Sequence, residues 1–185
     1  MSGRSQSKIM SASLAKAPEL LDQPSVSIRP ARADDCEAMM QMIKALAEYQ
    51  GVSDRVATTT ETLRRDGFGQ SPKYEALIAE RHGEYVGLAM FQSVYLSWEG
   101  TTVLQITDLF VSERARGTGV GFSLALEVAR LARERDCAGL QLNMVHANPS
   151  RNSLDRIGLV HQDDLLHYRL DAAGLNRFLD AHHST

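Results

Sequence analysis

At 185 residues the chain is long enough to bury a proper core as one domain and short for two. Its 20 basic and 23 acidic side chains leave a net charge of −3 with no long basic run, which argues against a nucleic-acid surface. Cys36 and Cys137 sit outside any CxxC or Cys/His cluster and read as buried small hydrophobes, no His/Cys/carboxylate group has metal-ligand spacing, and no apolar run reaches the ~18 residues of a membrane helix.

Residues 1–24 are serine-rich and lack a secretory apolar core. They read as a disordered tail, with a transit peptide as the alternative, and cytoplasmic residence is the default. A short strand is expected over Ser25–Arg29, closed by Pro30. The capping aspartates of "DDCEAMMQMIKALAEYQG" then open a helix that ends at Gly51, with Cys36, Met39, Met40, Ile43, Leu46 and Ala47 forming its core stripe. "TTTETLRRDGFG" predicts a capped short helix from about Thr60 to Arg65, stopped by Gly67 and Gly69.

Three strand-like runs follow, "YEALIAER", "EYVGLAMFQSVYLSW" and "TTVLQITDLFVS", joined by short glycine-containing turns as an antiparallel meander. A helix is predicted from about Gly119 to Arg135, then a strand over "AGLQLNMV", a short helix, a strand at Leu165–Leu170 and a last helix. No repeat or second-domain boundary interrupts this order. Residues 25–180 are therefore expected to be one folded unit, with 181–185 as a second tail.

The stretch "RARGTGVG", Arg114 to Gly121, joins the third meander strand to the long helix. Its backbone N–H groups would gather at a helix N-terminus, which favours an anion, and its glycines admit phosphate oxygens close to the main chain. A Walker loop needs a lysine where Phe122 stands. A dinucleotide fingerprint needs GxGxxG opening a parallel unit, whereas Gly117, Gly119 and Gly121 follow a meander with GxGxG spacing.

The remaining pattern, Arg-Gly-x-Gly-Val-Gly after a strand ending "DLFV", resembles the GNAT superfamily of acyl-CoA-dependent N-acetyltransferases. "IRPARADDCEAMMQMIKALAEYQ", "DGFGQSPKYEALIAE" and the "SW" before the fourth strand resemble its diamine and thialysine subfamily, over nearly all of Ile28 to Leu170. The resemblance implies an α/β (α+β) fold, a mixed, mostly antiparallel sheet of about six to seven strands flanked by about four helices. It implies acetyl-CoA as co-substrate and a homodimer. Main-chain groups of Phe110 and Val111 would take the pantetheine arm. Arg116, Gly117, Thr118, Gly119, Val120, Gly121 and Ser123 would take the pyrophosphate, with Asn148 as a further cofactor contact.

The chain departs from that subfamily where the chemistry is done. Acetyl transfer needs a neutral amine, and an alkylammonium has a pKa near 10. The resembled strand reads Leu-Glu-Asp, whereas this one reads Ile106-Thr107-Asp108, so Thr107 replaces the usual proton-accepting glutamate. Asp108 is the neighbouring acid, a base or water-holder on one reading and structural on the other, because strand alternation turns it to the opposite face unless a bulge intervenes. His146 is a second candidate, with a surface role as the alternative. Leu154 stands where the family's tyrosine proton donor is expected, and Ala147 stands at the expected asparagine, with Asn148 one place later.

Gln50, Leu96 and Thr107 leave little negative charge for a polycation, so the acceptor is expected to be a small primary amine rather than a polyamine. Tyr49, Tyr95 and Trp98 are candidates for lining its cleft, with core packing as the alternative for each. The competing function is an acyl-CoA-binding domain with weak or no catalysis that serves as a sensor or partner module.

Overall fold

The computed structural model describes residues 26–144, Asn148, Leu154, 158–162 and 166–182; the expected N-terminal tail lies outside them. β1 (Ser27–Pro30) leads through a tight turn at Ala33–Asp35 into α1 (Cys36–Tyr49), and α2 (Thr60–Phe68) follows. The meander is β2 (Glu75–Arg81), β3 (Glu84–Leu96) and β4 (Thr101–Val111). Next, α3 (Val120–Glu134) crosses over to β5 (Gly139–Leu142), and α4 (Ala172–His182) comes last, past the expected boundary at Asp180.

The sheet order is β1-β2-β3-β4-β5, antiparallel throughout except for the parallel pair β4 and β5. This is the mixed α+β architecture expected from the sequence, with five strands among the described residues rather than six or seven. Leu166, Tyr168 and Leu170 keep the alternation that predicted a strand at Leu165–Leu170, yet 166–170 pair with no strand among the described residues and all three side chains are exposed. Alternation specifies a face, whereas a strand also needs a hydrogen-bonding neighbour. The short helix expected after Asn148 falls largely outside the described residues.

Local chemistry accounts for the elements around the site. The α1 stripe buries Cys36, Met39, Met40, Leu46 and Ala47 as its spacing predicted, and Met42 besides. α2 opens on a reciprocal cap: Thr62 N–H donates to Thr59 Oγ1 at 3.2 Å and Thr59 N–H donates to Thr62 Oγ1 at 2.7 Å. It runs through Gly67 instead of stopping near Arg65. A Cβ at Gly67 would lie 2.4 Å from Tyr74 Cζ, so this glycine makes room for a ring and does not end the helix. His82 and Gly83, with φ of 52° and 76°, form the turn between β2 and β3.

The sheet buries both faces. On one, Phe91, Leu104 and Ile106 pack against Val120, Leu124 and Val128 of α3; on the other, Ile78, Leu88 and Phe110 pack against Met39 and Met40 of α1 and Leu63 of α2. Each such side chain, fully buried, contributes about 1.5–3 kcal/mol. Arg29 ties β1 to the α1 side with two bonds to Asp35, at 2.7 and 2.8 Å, and a 2.6 Å bond to Glu80.

Candidate active site

The register of β3 and β4 slips by one residue where Met90 pairs with Asp108 and Phe91 with Ile106. Thr107 is the extra residue of a β-bulge. Before it, Leu104 and Ile106 face α3; after it, Leu109 and Val111 do, while Phe110 joins the α1 cluster. Asp108 therefore shares the α1 side with Phe110. This is the condition on which its candidacy as a base depended.

Thr107 is exposed, and its Oγ1 donates to the Met90 carbonyl at 3.3 Å across the bulge. Burial pushes the Asp108 carboxyl above the ordinary carboxylate range, and a hydrogen bond with Thr107 offsets part of that rise. One hydroxyl proton serves both acceptors, so Thr107 cannot satisfy Met90 and Asp108 together.

Among the described residues, the same stretch of β4 has no strand partner on one side. Its parallel pairing with β5 ends at Ile106 with Leu142, whereas its pairing with β3 continues to Val111 with Gly87. Main-chain groups on the β5 side of Thr107–Val111, including Phe110 and Val111, thus have no strand partner among the described residues.

Beyond β4 the glycine loop turns into α3. Gly117 and Gly119 have φ of 75° and 86°, left-handed values that a side chain resists. Gly119 caps α3, and the first helical bond runs from Ser123 N–H to Gly119 O at 2.9 Å. The N–H groups of Val120, Gly121 and Phe122 precede that bond and point out of the helix end, at the positive pole of a 15-residue helix.

A profile of the acetyltransferase (GNAT) family matches residues 38–158. The chain belongs to that family. Among curated relatives, the thialysine N-epsilon-acetyltransferase of Bos taurus is 35% identical over 131 residues, 66% of this chain and 76% of that one, and its Sus scrofa counterpart is equally similar. The Homo sapiens spermidine/spermine N(1)-acetyltransferase-like protein 1 is 34% identical over 60% of this chain and 17% of its own length. In fold, an integron cassette protein of V. cholerae aligns with a TM-score of 0.69 at 24% identity, covering 84% of this chain and 98% of that one. An aminoglycoside N-acetyltransferase in complex with CoA aligns at 0.65 and 19% identity, covering 80% and 97%. The enzyme class is that of an N-acetyltransferase.

In this GNAT chain, the residues expected to hold a cofactor divide cleanly. Phe110, Val111, Arg116, Gly117, Thr118, Gly119, Val120, Gly121 and Ser123 lie together at the end of β4 and the start of α3. Asn148 is buried and lies beyond β5. The arrangement fits a phosphate-bearing ligand. A Cβ at Gly121 would meet Val111 Cγ2 at 3.4 Å, so the helix end sits close over the open strand, and two buried polar atoms without partners, Ser112 Oγ and Arg81 Nε, flank the loop.

Arg116 is also held within the chain. Its guanidinium lies 4.0 Å above the Tyr49 ring and its Nε donates to the Val111 carbonyl at 3.3 Å. Tyr49 is thereby brought to the loop. Tyr95 and Trp98 are not brought to it within the subunit: both are well exposed at the tip of the β3–β4 hairpin. Tyr95 pairs with Thr102, five residues before Thr107, or roughly 17 Å along the strand. His146 and Ala147 lie outside the described residues, while Leu154 is half-buried. Among the described residues, no group of His, Cys, Asp and Glu is placed to hold a metal ion, and no helix is long and apolar enough to cross a membrane.

Arg81, the last residue of β2, also reaches the loop. Its Nη2 donates to Thr118 Oγ1 at 2.8 Å, a contact spanning 37 residues that no local pattern announces.

Proposed function

We propose that this chain transfers an acetyl group from acetyl-CoA to the primary amine of a small molecule that is not a polyamine, with Asp108 as the group that takes the amine proton. The observation that carries the reading is the bulge at Thr107, which turns Asp108 to the α1 side beside the open edge of β4.

Acetyl-CoA supplies the acetyl group as an activated thioester. The open edge at Phe110 and Val111 is suited to hydrogen-bond an extended pantetheine arm as an added strand would. The turn Arg116–Gly119, the N–H groups of Val120 and Gly121, and Ser123 are suited to the pyrophosphate. An ammonium acceptor must lose a proton before it can attack. A half-buried carboxyl whose pKa is raised is a stronger base than an ordinary aspartate, which favours that transfer directly or through a water. Thr107 supports the bulge and tunes Asp108 without accepting the proton itself. Tyr49, under Arg116, stands nearest the loop among the candidate aromatics.

Gln50 and Thr107 are neutral, so a polycation finds little charge besides Asp108, which supports a small monoamine or amino acid as acceptor. Cytoplasmic residence and a homodimeric state complete the reading; sedimentation at assay concentration measures the second.

The test is thiol release from acetyl-CoA across a panel of small amines, amino acids and polyamines. Turnover with a small primary amine, at a kcat/KM above that for spermidine, supports the proposal. Saturable acetyl-CoA binding with no release above background for any amine would overturn it.

A further inference from the structure

The glycine loop has two arginines near it in sequence, and both are already engaged. Arg114 pairs with Glu84 at 2.6 Å. Arg116 stacks on Tyr49 and donates to Val111. Arg81 reaches the same loop from the end of β2, and Thr118 is the joint: its hydroxyl accepts from Arg81 Nη2 at 2.8 Å and donates to the Ala115 carbonyl at 2.7 Å.

Arg81 makes no ion pair among the described residues. Its cross-strand partner Glu84 gives its carboxylate to Arg114. The Arg81 Nε is buried without an acceptor. An unpaired buried donor costs roughly 1–3 kcal/mol, and for a charged group more. A guanidinium without a counter-ion, an unsatisfied N–H and a helix N-terminus all carry positive charge toward one small volume. An anion at the turn would supply the counter-charge that the guanidinium and the helix end lack, and a guanidinium is suited to an oxyanion.

Resting on the reading of this loop as the coenzyme A site, we propose that Arg81 is a positioning residue for donor binding. It fixes Thr118, and so the turn Gly117–Gly119, in the shape that receives the pyrophosphate, and it adds a charge beside Arg116 that Arg114, paired with Glu84, does not supply. It lies outside the glycine motif and sets donor affinity rather than the chemical step.

Arg81→Met, Arg81→Lys and Thr118→Val test this, with dissociation constants measured for acetyl-CoA, its 3′-dephospho form and S-acetylpantetheine, which lacks the pyrophosphate. Arg81→Met is expected to weaken acetyl-CoA about tenfold and to raise its KM by the same factor with little change in kcat. Lysine should restore most of that loss. Thr118→Val should act in the same direction, and the double variant should lose less than the sum of the two. The penalty should persist with the 3′-dephospho form and vanish with S-acetylpantetheine. Equal weakening of all three donors, or a loss of kcat together with thermal stability, would overturn the proposal in favour of a structural role. A penalty that vanished with the 3′-dephospho form would overturn the pyrophosphate assignment. If the wild-type chain bound acetyl-CoA no better than S-acetylpantetheine, the reading of the loop itself would fail, whatever Arg81 does.

Discussion

At the start of α3 the proposed donor site is made of main chain: two left-handed glycines, the first N–H groups of a helix and the side of β4 that has no strand partner among the described residues. A few residues earlier, at the bulge, it is made of two side chains, Thr107 and Asp108. The first region works through backbone shape, so it should fail where a substitution disturbs that shape, as at its left-handed glycines or at the Arg81–Thr118 contact. The second changes character with each substitution. By the resemblance to its subfamily, the proposed donor side keeps the expected pattern while Thr107 stands where a glutamate is expected. Donor binding and proton handling should therefore fail separately when each is attacked.

The largest expected effect is on the acceptor side. Asp108→Asn should lower kcat/KM for the amine roughly 10²–10⁴-fold, the usual contribution of a general base, while the acetyl-CoA dissociation constant stays put. A matching loss of donor affinity would dissolve the distinction between the two regions. The reciprocal break is Gly119→Val. A β-branched residue at φ 86° carries about 2 kcal/mol of backbone strain, so the KM for acetyl-CoA should rise about 30-fold, with the pH dependence of turnover unchanged.

A variant of the scaffold sharpens the contrast by touching neither half. Bonds from Arg29 foremost, and then from the Arg32 backbone and Tyr85, hold the Asp35 carboxyl down at about 2. Its contribution, about 2 kcal/mol, is present above the unfolded value near 4 and is lost as pH falls from there through about 2. Asp35→Asn should lower thermal stability at neutral pH, flatten its decline in acid, and leave both KM values nearly unchanged. The smallest effect is expected from Thr107→Val. Losing the hydroxyl removes a bond that lowers the Asp108 pKa, so the acid limb of the rate should move to higher pH, with a change in kcat of about fivefold or less.

The same contrast decides what the sequence made legible. The α1 stripe, the meander and the glycine turn are written in spacing, and the structure repeats them nearly residue for residue. The bulge is not, because an extra residue in a strand leaves the composition of "ITDLFV" unchanged while reversing every later side chain. Sequence could say only that Asp108 needs such a bulge. Gly67 misled for a related reason: a glycine that ends a helix and one that admits a neighbouring ring look alike in sequence. Arg81 reaches Thr118 across the β2–β3 hairpin and β4, and only the folded sheet brings them together. Trp98 shows the opposite limit, an aromatic suited by type to a cleft but carried to an exposed hairpin tip.

The central claim is that an intact donor site works beside a repositioned Asp108. The most direct measurement is the pH profile of kcat/KM for the best amine at saturating acetyl-CoA, in the wild type and in Asp108→Asn. Wild-type activity should fall as pH drops through a pKa above the usual carboxylate range, and this limb should disappear in the variant. An acid limb that survives Asp108→Asn unchanged, with the rate intact, would contradict it.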